Sequence, residues 1–206
     1  GDVCELRSTG REARLRAEVV ALQADRVMLM PFGDVAGIGR DCEVEALGPL
    51  ADLPVGEALL GRVVDAFGDP LDGQPRPLLA QRQPVKGQPA NPMQRPPVRD
   101  VLETGVRCID TLFTLGRGQR MGIFSGSGVG KSTLLGMIAR HMRADVNVIA
   151  LIGERGREVR EFIDKCLGPA GLARSVVVVA TSDQPAAVRV RAAHAATAIA
   201  EHFRAQ

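Results

Sequence analysis

A glycine-rich stretch in the middle of the chain has the residue types that bind phosphate. Residues 123–135 read IFSGSGVGKSTLL, close to the pattern Gly-x-x-x-x-Gly-Lys-Ser/Thr, with the small residue Ser125 in place of the first glycine. The other glycines let the backbone bend so that several N–H groups point at one anion. We expect Lys131 to reach the β- and γ-phosphates of a nucleotide and the Ser132 hydroxyl to bind Mg²⁺.

A second candidate site follows a continuous apolar stretch, VNVIALI. Glu154 comes directly after it, in the sequence LIGERGREVREF. In an open parallel sheet, ligands bind beyond the carboxyl ends of the strands, where a carboxylate can face the γ-phosphate and polarise an attacking water. For the charged residues from Arg157 onward, we favour the alternative that they are the solvated start of a helix.

One further acid has the appearance of a magnesium-ordering residue. VVVVATSD reads as an apolar strand that ends in an acid, but Asp183 follows Thr181 and Ser182 and precedes Gln184-Pro185. Because Asp183 lies past the strand, we predict a helix-capping or loop role for it.

Strands and helices alternate after Asp100, which predicts an α/β fold with a parallel sheet and right-handed crossovers. The predicted strands are Gly118–Phe124, Val146–Ile152 and Ser175–Thr181, and the predicted helices are Ser132–Met142, Glu158–Cys166 and Gln184–Arg204. The phosphate loop therefore falls between a strand and a helix, as its motif requires. The second and third strands are continuously apolar, which predicts burial on both faces.

The first hundred residues read differently. Alternating polar and apolar residues from Arg14, a second strand over Arg26–Phe32 and a third over Cys42–Leu47 predict a partial β-barrel-like domain over 1–48. Seven prolines lie between residues 75 and 97, so long helices are excluded from 49–100. We interpret 49–100 as an ordered connector, in which Val85, Met93 and Val98 could pack, to a partial nucleotide-binding domain over 101–206. A flexible linker is the alternative.

Composition limits the function classes. A net charge of +2 is too small to predict nucleic-acid or membrane binding, and the apolar runs are too short to span a bilayer. The four cysteines form no C-x-x-C pair, which argues against zinc and for free thiols in a reducing compartment. The chain begins at Gly1 and stops inside a helical pattern at Gln206, so we expect a fragment truncated at both ends.

Three long stretches carry a family resemblance: LETGVRCIDTLFTLGRGQRMGIFSGSGVGKSTLLGMIAR, DVNVIALIGERGREVREFI and ARSVVVVATSDQPAAVRVRAAHAATAIAEHFR. They resemble the rotary-type hexameric ATPases, and among these the type III secretion and flagellar export ATPases. MLMPFGDVAGI and GRVVDAFGDPLDG are similar to the same family's N-terminal barrel and to the segment that follows it. Members have alanine or serine at the position of Ser125, which accounts for the missing glycine.

The resemblance implies a RecA-like domain that binds ATP and Mg²⁺. It implies that Glu154 is the catalytic carboxylate, that Lys131 acts with it, and that Arg155 lies close to the phosphates. The implied nucleotide-binding residues are Ser127, Gly128, Val129, Gly130, Lys131, Ser132 and Thr133, with Ser132 on Mg²⁺. The family's Walker B aspartate, its adenine pocket and the arginine given to a neighbouring subunit are expected after Gln206.

The function that the resemblance implies is an ATP-driven motor of a type III protein export apparatus. It implies a homohexamer that works with stalk and regulator proteins, secreted substrates and their chaperones, without a specific nucleic acid. The expected location is the cytoplasmic face of the inner membrane, peripheral to the export gate. The chain by itself is expected to be inactive, and flagellar and virulence-type systems are not separated by these residues.

Two other functions are weighed against the motor. A non-catalytic nucleotide-binding subunit of a rotary ATPase would have glutamine where Glu154 stands. An RNA-translocating hexamer would have aromatic residues in its barrel on which bases stack, whereas Phe32 is the one aromatic residue of the N-terminal β region.

Overall fold

The computed structural model describes residues 2–8, 14–48, 52–87, 89, 91–126 and 128–206. The N-terminal part is a four-stranded antiparallel sheet with the strand order β3-β2-β1-β4. Its strands are β1 (Val3–Arg7), β2 (Leu15–Leu22), β3 (Val27–Pro31) and β4 (Glu43–Gly48). Polar and apolar residues alternate in β2 and so place Leu15 and Ala17 in a small core, as predicted. The strand β1 was not predicted from the sequence.

A three-stranded parallel sheet forms the centre of the nucleotide-binding part, in the order β10-β11-β6. Its strands are β10 (Asn147–Ile152), β11 (Ser175–Ala180) and β6 (Val63–Val64). The parallel α/β fold predicted from the sequence is confirmed. The third strand comes from the proline-rich connector, because Val63 and Val64 pair with Val177 and Val178.

Helices accompany this sheet. They are α1 (Arg107–Leu112), α2 (Lys131–His141), α3 (Gly156–Glu161), α4 (Gly168–Ala173) and α5 (Ala186–Arg204), with a π-helix (Phe162–Leu167) between α3 and α4. Of these, α4 and α5 pack directly on the strands of the sheet. The apolar stripe predicted for α5 is buried at Val188, Ala192 and Ile199. Within the described ranges, no helix is both long and apolar enough to cross a membrane.

The connector packs into the main hydrophobic core. It forms β5 (Asp52–Val55), which pairs with β7 (Gln81–Pro84), and two short 3₁₀ helices, Glu57–Leu59 and Pro92–Gln94. A separate antiparallel pair consists of β8 (Val101–Leu102) and β9 (Leu115–Gly116), with α1 between them in the chain. Val85 is 5% exposed and belongs to the core that α5 covers, whereas Met93 is 90% exposed and Val98 is 53% exposed. The expected packing is therefore right for Val85 and wrong for Met93, while the half-exposed Val98 side chain lies against Gly116 outside the core.

Three predicted elements need correction. Gly118–Phe124 is not a strand, since the described residues provide no neighbouring strand for its backbone, and Phe124 is 96% exposed. The strand β10 is only half-buried because it lies at the edge of the described sheet, whereas the central strand β11 is buried throughout. The helix predicted over Glu158–Cys166 is present but is not α-helical throughout, because α3 begins at Gly156 and widens into the π-helix at Phe162.

Candidate functional site

The glycine-rich loop turns into α2 through left-handed backbone. Gly128 has a φ of 77° and Gly130, the N-cap of α2, a φ of 96°, conformations that a residue with a Cβ adopts only with strain. The Gly130 carbonyl accepts the first helical hydrogen bond, from the Leu134 amide at 2.9 Å. Ser127, expected to bind the nucleotide, lies outside the described residues.

The first turn of α2 is free to receive an anion. The amides of Lys131, Ser132 and Thr133 precede the first intrahelical bond, and no side chain caps them. The turn contains no acidic residue, so the positive end of the helix dipole is not neutralised there. In the described part of the chain, no carboxylate lies within salt-bridge distance of Lys131, and its charge is therefore available to a ligand.

An open cleft of about 620 Å³ lies in front of this turn. One wall is the phosphate loop with the start of α2, and the other is the segment from Glu154 into the π-helix. Of the residues expected to bind the nucleotide or act on it, those that line the cleft are Gly128, Gly130, Lys131, Ser132, Thr133 and Glu154. Residues far apart in the sequence are thus brought to a single site.

Backbone hydrogen bonds fix the position of Glu154 at the ends of two parallel strands. Gly153 follows β10 with a φ of 76°, and its amide donates to the Ala180 carbonyl at 2.7 Å. The Ser182 amide donates to the Glu154 carbonyl at 3.0 Å. The half-buried Glu154 side chain therefore projects from the carboxyl edge of the sheet, where the sequence predicted it.

The second wall contains residues that were not expected at the site, and two of them, Glu158 and Glu161, were assigned to the solvated start of a helix. Glu158, Glu161, Phe162, Lys165 and Cys166 all line the cleft. Their spacing of three or four residues places them on one helical face below Glu154, and this periodicity is the signal that could have found them. The Lys165 ammonium lies 2.8 Å from the Glu161 carboxylate. This hydrogen bond lowers the pKa of Glu161 and raises the pKa of Lys165.

Three other candidates do not line the cleft. Val129 is 70% exposed, and the Arg155 side chain points to solvent with one nitrogen 3.6 Å from Glu158. Asp183 lies in the turn between β11 and α5, where the Thr181 hydroxyl lowers its pKa by hydrogen bonding. Helix α5 has Pro185 as its N-cap, so Asp183 has a loop role and does not cap the helix.

Known families match both parts of this chain. Residues 1–48 match the β-barrel domain of the ATP synthase alpha/beta family, and residues 105–206 match the nucleotide-binding domain of the same family. The chain belongs to the ATP synthase alpha/beta family. The first match contains the four-stranded sheet and the second contains β10 and β11, and the phosphate loop and Glu154 both fall in the nucleotide-binding match.

Among the proteins similar to this chain are export ATPases of this family. The chain is 55% identical to the flagellum-specific ATP synthase of Bacillus subtilis and 54% identical to the type 3 secretion system ATPase of Xanthomonas euvesicatoria, in each case over 99% of its own length. It covers 47% and 46% of these two proteins, so it spans about half the length of the curated relatives it matches. The resemblance to export ATPases that the sequence suggested is confirmed.

A solved structure agrees with this position. The assembled ATPase EscN, in complex with its central stalk EscO from the enteropathogenic E. coli type III secretion system, matches with a TM-score of 0.87 and 42% identity. The match covers 99% of this chain and 53% of EscN. The fold described above is therefore the fold of a known export ATPase over this length.

The site of this ATP synthase alpha/beta family chain fits a nucleotide with Mg²⁺. A Cβ placed on Gly126, Gly128 or Gly130 would meet no atom within 4 Å, so the space above the loop is open to a phosphate group. The donors along the α2 wall are backbone amides and an ammonium, which suit phosphate oxygens. The hydroxyl of Ser132 is the hard oxygen ligand that Mg²⁺ prefers.

Proposed function

We propose that this chain is the nucleotide-binding part of an ATP-hydrolysing motor in a type III protein export apparatus, flagellar or virulence-type. The proposal rests on one observation: Lys131 and Glu154, which are 23 positions apart in the sequence, line the same cleft. An anion-binding turn that faces a carboxylate at a strand end is the arrangement that nucleotide hydrolysis requires.

The residues of the two walls have separate roles. Lys131 and the amides of residues 128–133 bind the β- and γ-phosphates and offset their negative charge. Ser132 contributes a ligand to Mg²⁺, which when bound neutralises charge that develops on the phosphate oxygens. Glu154 orients a water molecule at the γ-phosphate and polarises it. Arg155 lies next to Glu154 and turns toward the phosphates after nucleotide binding.

The partners follow from the relatives. EscN is an assembled ATPase that binds a central stalk, EscO. By analogy, the complete protein forms a homohexamer around a stalk at the cytoplasmic face of the inner membrane. There it couples Mg-ATP hydrolysis to the release, unfolding and secretion of protein substrates, with regulator proteins and chaperones.

Two observations argue against the alternatives. Glu154 provides the carboxylate that a non-catalytic subunit would lack. Phe32, the aromatic residue that directly follows β3, packs edge-to-face on Phe67 with ring centroids 5.2 Å apart. The half-buried ring is thus already in contact with another side chain, which makes it a poor stacking platform for the bases of an RNA strand.

The test is phosphate release from Mg-ATP by the complete protein. Lys131→Ala should reduce turnover by at least ~10²-fold, since it removes a charge that stabilises the transition state. Lys86→Ala is the matched control, because Lys86 is 73% exposed, lies beside Glu18 and is outside the cleft. Equal turnover by Lys131→Ala and the wild-type protein would reject the phosphate-loop assignment and the proposed motor with it.

A further inference from the structure

The two walls of the nucleotide cleft touch each other at a point below it. Gly136 of α2 packs against Cys166 of the π-helix so closely that a Cβ added to Gly136 would lie 2.7 Å from both the Cβ and the carbonyl oxygen of Cys166. No pair of carbon atoms approaches to that distance without repulsion. The absence of a side chain at Gly136 therefore sets how near the two walls come.

A hydrogen bond also stabilises the contact between α2 and the π-helix. Arg140 lies one turn after Gly136, and its Nη1 donates to the Cys166 carbonyl oxygen at 2.6 Å. The aliphatic part of Arg140 lies over Gly171 of α4, where an added Cβ would be 3.4 Å from the Arg140 Cγ and 2.9 Å from a Leu167 methyl carbon. We call Gly136, Arg140, Cys166 and Gly171 the wall junction.

The junction lies directly beneath groups that are expected to act on the nucleotide. Gly136 is five residues after Lys131, or about 7.5 Å along the helix axis. Cys166 itself lines the cleft, on the wall that begins at Glu154. Turns of π-helix occur often at functional sites, and here the wider turn includes Phe162, Lys165 and Cys166, which face α2 across the cleft.

The far end of α2 is held by a separate set of hydrogen bonds. The Asn147 side-chain amide donates to the Ala139 carbonyl at 2.8 Å, and Arg174 donates to the carbonyl oxygens of Met142, at 2.8 Å, and Ala144. These bonds anchor the end of α2 and the turn after it to β10 and α4. A displacement at Gly136 would therefore tilt the free, phosphate-binding end of α2 and leave its other end in place.

We propose that the wall junction is a positioning element for hydrolysis: it sets the width of the cleft and so the placement of Lys131 and Ser132 relative to Glu154. This inference rests on the proposed function. Gly136→Ala forces the walls apart by roughly 0.7 Å, because the atoms that it meets include backbone atoms of Cys166, which cannot rotate away. Since misplacement of about 1 Å costs up to ~10² in rate, turnover should fall while the phosphate loop itself stays intact.

The experiment compares Gly136→Ala and Arg140→Met with the complete wild-type protein. Both variants should lower kcat for Mg-ATP, by roughly 10-fold or more for Gly136→Ala. The Kd for Mg-ATP, measured by calorimetry, should change less than about 3-fold, because the loop and first-turn amides move as one body. Arg140→Lys keeps a donor for the Cys166 carbonyl and should recover part of the kcat that Arg140→Met loses.

A control separates positioning from general destabilisation. Val188→Ala removes buried side-chain volume from α5, on the opposite side of the sheet from the junction, and is expected to lower the unfolding free energy without changing kcat. Cys166 provides a readout that does not depend on turnover. Its alkylation by a maleimide, mapped by mass spectrometry, should be faster in Gly136→Ala, while that of the exposed Cys108 should not change.

The outcomes are distinct. A lower kcat with preserved Kd and faster Cys166 alkylation in Gly136→Ala supports the inference. If Gly136→Ala does not fold, a lower kcat in Arg140→Met supports it and a wild-type kcat overturns it. A wild-type kcat in the variants, or an equal loss in Val188→Ala, overturns it. If the wild-type protein binds Mg-ATP but does not hydrolyse it, the proposed function fails, and unchanged Cys166 alkylation would reject the junction separately.

Discussion

The backbone amide of Ser182 donates a hydrogen bond to the carbonyl oxygen of Glu154 over 3.0 Å, and so ties the turn after β10 to the turn after β11. The bond involves only main-chain atoms. The Glu154 segment is therefore held in place whatever side chain position 154 carries. Substitution there is a clean probe of chemistry, because it changes the functional group and leaves its support intact.

Glu154→Gln should retain Mg-ATP binding and lose most of the turnover of the complete protein. The amide has nearly the shape of the carboxylate but cannot accept a proton from water, and such general-base groups contribute roughly 10²–10⁴ in rate. Calorimetry measures binding and a phosphate-release assay measures kcat. Asp183→Asn is the matched control, because Asp183 is an acidic residue that follows the neighbouring strand β11 but does not line the cleft. The kcat of this variant should equal that of the wild-type protein. A near-normal kcat in Glu154→Gln would reject the catalytic role.

Ser132→Ala should weaken nucleotide binding only when Mg²⁺ is present. The substitution removes a metal ligand but keeps the backbone amide that faces the phosphates. Isothermal titrations with ATP in Mg²⁺ and in EDTA should show that Mg²⁺ increases the affinity for ATP less in the variant than in the wild-type protein. Thr197→Ala, which removes a hydroxyl from the exposed face of α5, should leave both affinities unchanged. An equal loss with and without Mg²⁺ would indicate that Ser132 acts on the phosphates.

The site was predictable where chemistry is local in sequence. The phosphate loop follows from one glycine-lysine-serine pattern, and Glu154 follows from its place after an apolar strand. The second wall was not predictable in the same way. Whether Lys165 and Cys166 reach the cleft depends on the π-helix and on the close approach at Gly136, and neither leaves a pattern in residue types.

The sheet shows the same division between local and distant causes. Strand β11 was predictable because six consecutive apolar or small residues are buried on both faces. That β6 belongs to this sheet was not predictable, since two valines in a proline-rich region gain strand structure only from pairing with β11. Conversely, Gly118–Phe124 has the composition of a strand but lacks a neighbour among the described residues, and a strand exists only with a partner.

The connector should contribute to stability at some positions and not at others. Leu53 is 1% exposed in the core that α5 covers, so Leu53→Ala should reduce the unfolding free energy by about 2–5 kcal/mol. Met93 is 90% exposed, so Met93→Ala should change it by less than about 0.5 kcal/mol. Urea titrations of both variants distinguish an ordered connector from a flexible linker. Equal stability of the two would favour the linker.

Acid should weaken the connector through one ion pair. Arg62 donates from Nε and Nη2 to Asp72 at 2.7 and 3.0 Å, and the Val63 amide donates to the same carboxylate at 3.2 Å. These bonds, that of Arg62 first, lower the pKa of Asp72 from 3.8 to about 2. Because the folded pKa lies below the unfolded one, the stabilisation is complete above the unfolded value and is lost as the pH falls through the folded value.

Asp72→Asn therefore tests a pH-dependent contribution. At pH 7 the variant should unfold about 2 kcal/mol more easily, the scale of hydrogen bonds to a charged group. The difference should shrink as the pH falls from 4 toward 2. Asp25→Asn, which changes an exposed carboxylate beside Arg26, should show almost no difference at either pH. A difference for Asp72→Asn that persists unchanged at pH 2 would contradict the ionic origin.

The polypeptide of residues 1–206 by itself should show no ATPase activity above background. Its cleft contains Lys131, Ser132 and Glu154, but among the described residues no arginine lines it, and Asp183 lies elsewhere. An arginine supplied by a neighbouring subunit is worth roughly 10³–10⁵ in phosphoryl transfer, and the acid that orders Mg²⁺ is expected outside these residues. The exposed Phe124 and the half-buried β10 should also favour association of this polypeptide.

A phosphate-release assay on the polypeptide across a concentration series, with Lys131→Ala as the control, measures its ATPase activity. Turnover that rises with concentration and vanishes in Lys131→Ala would show instead that copies of this polypeptide complete each other's sites, and Asp183 would then need re-examination as the magnesium-ordering acid.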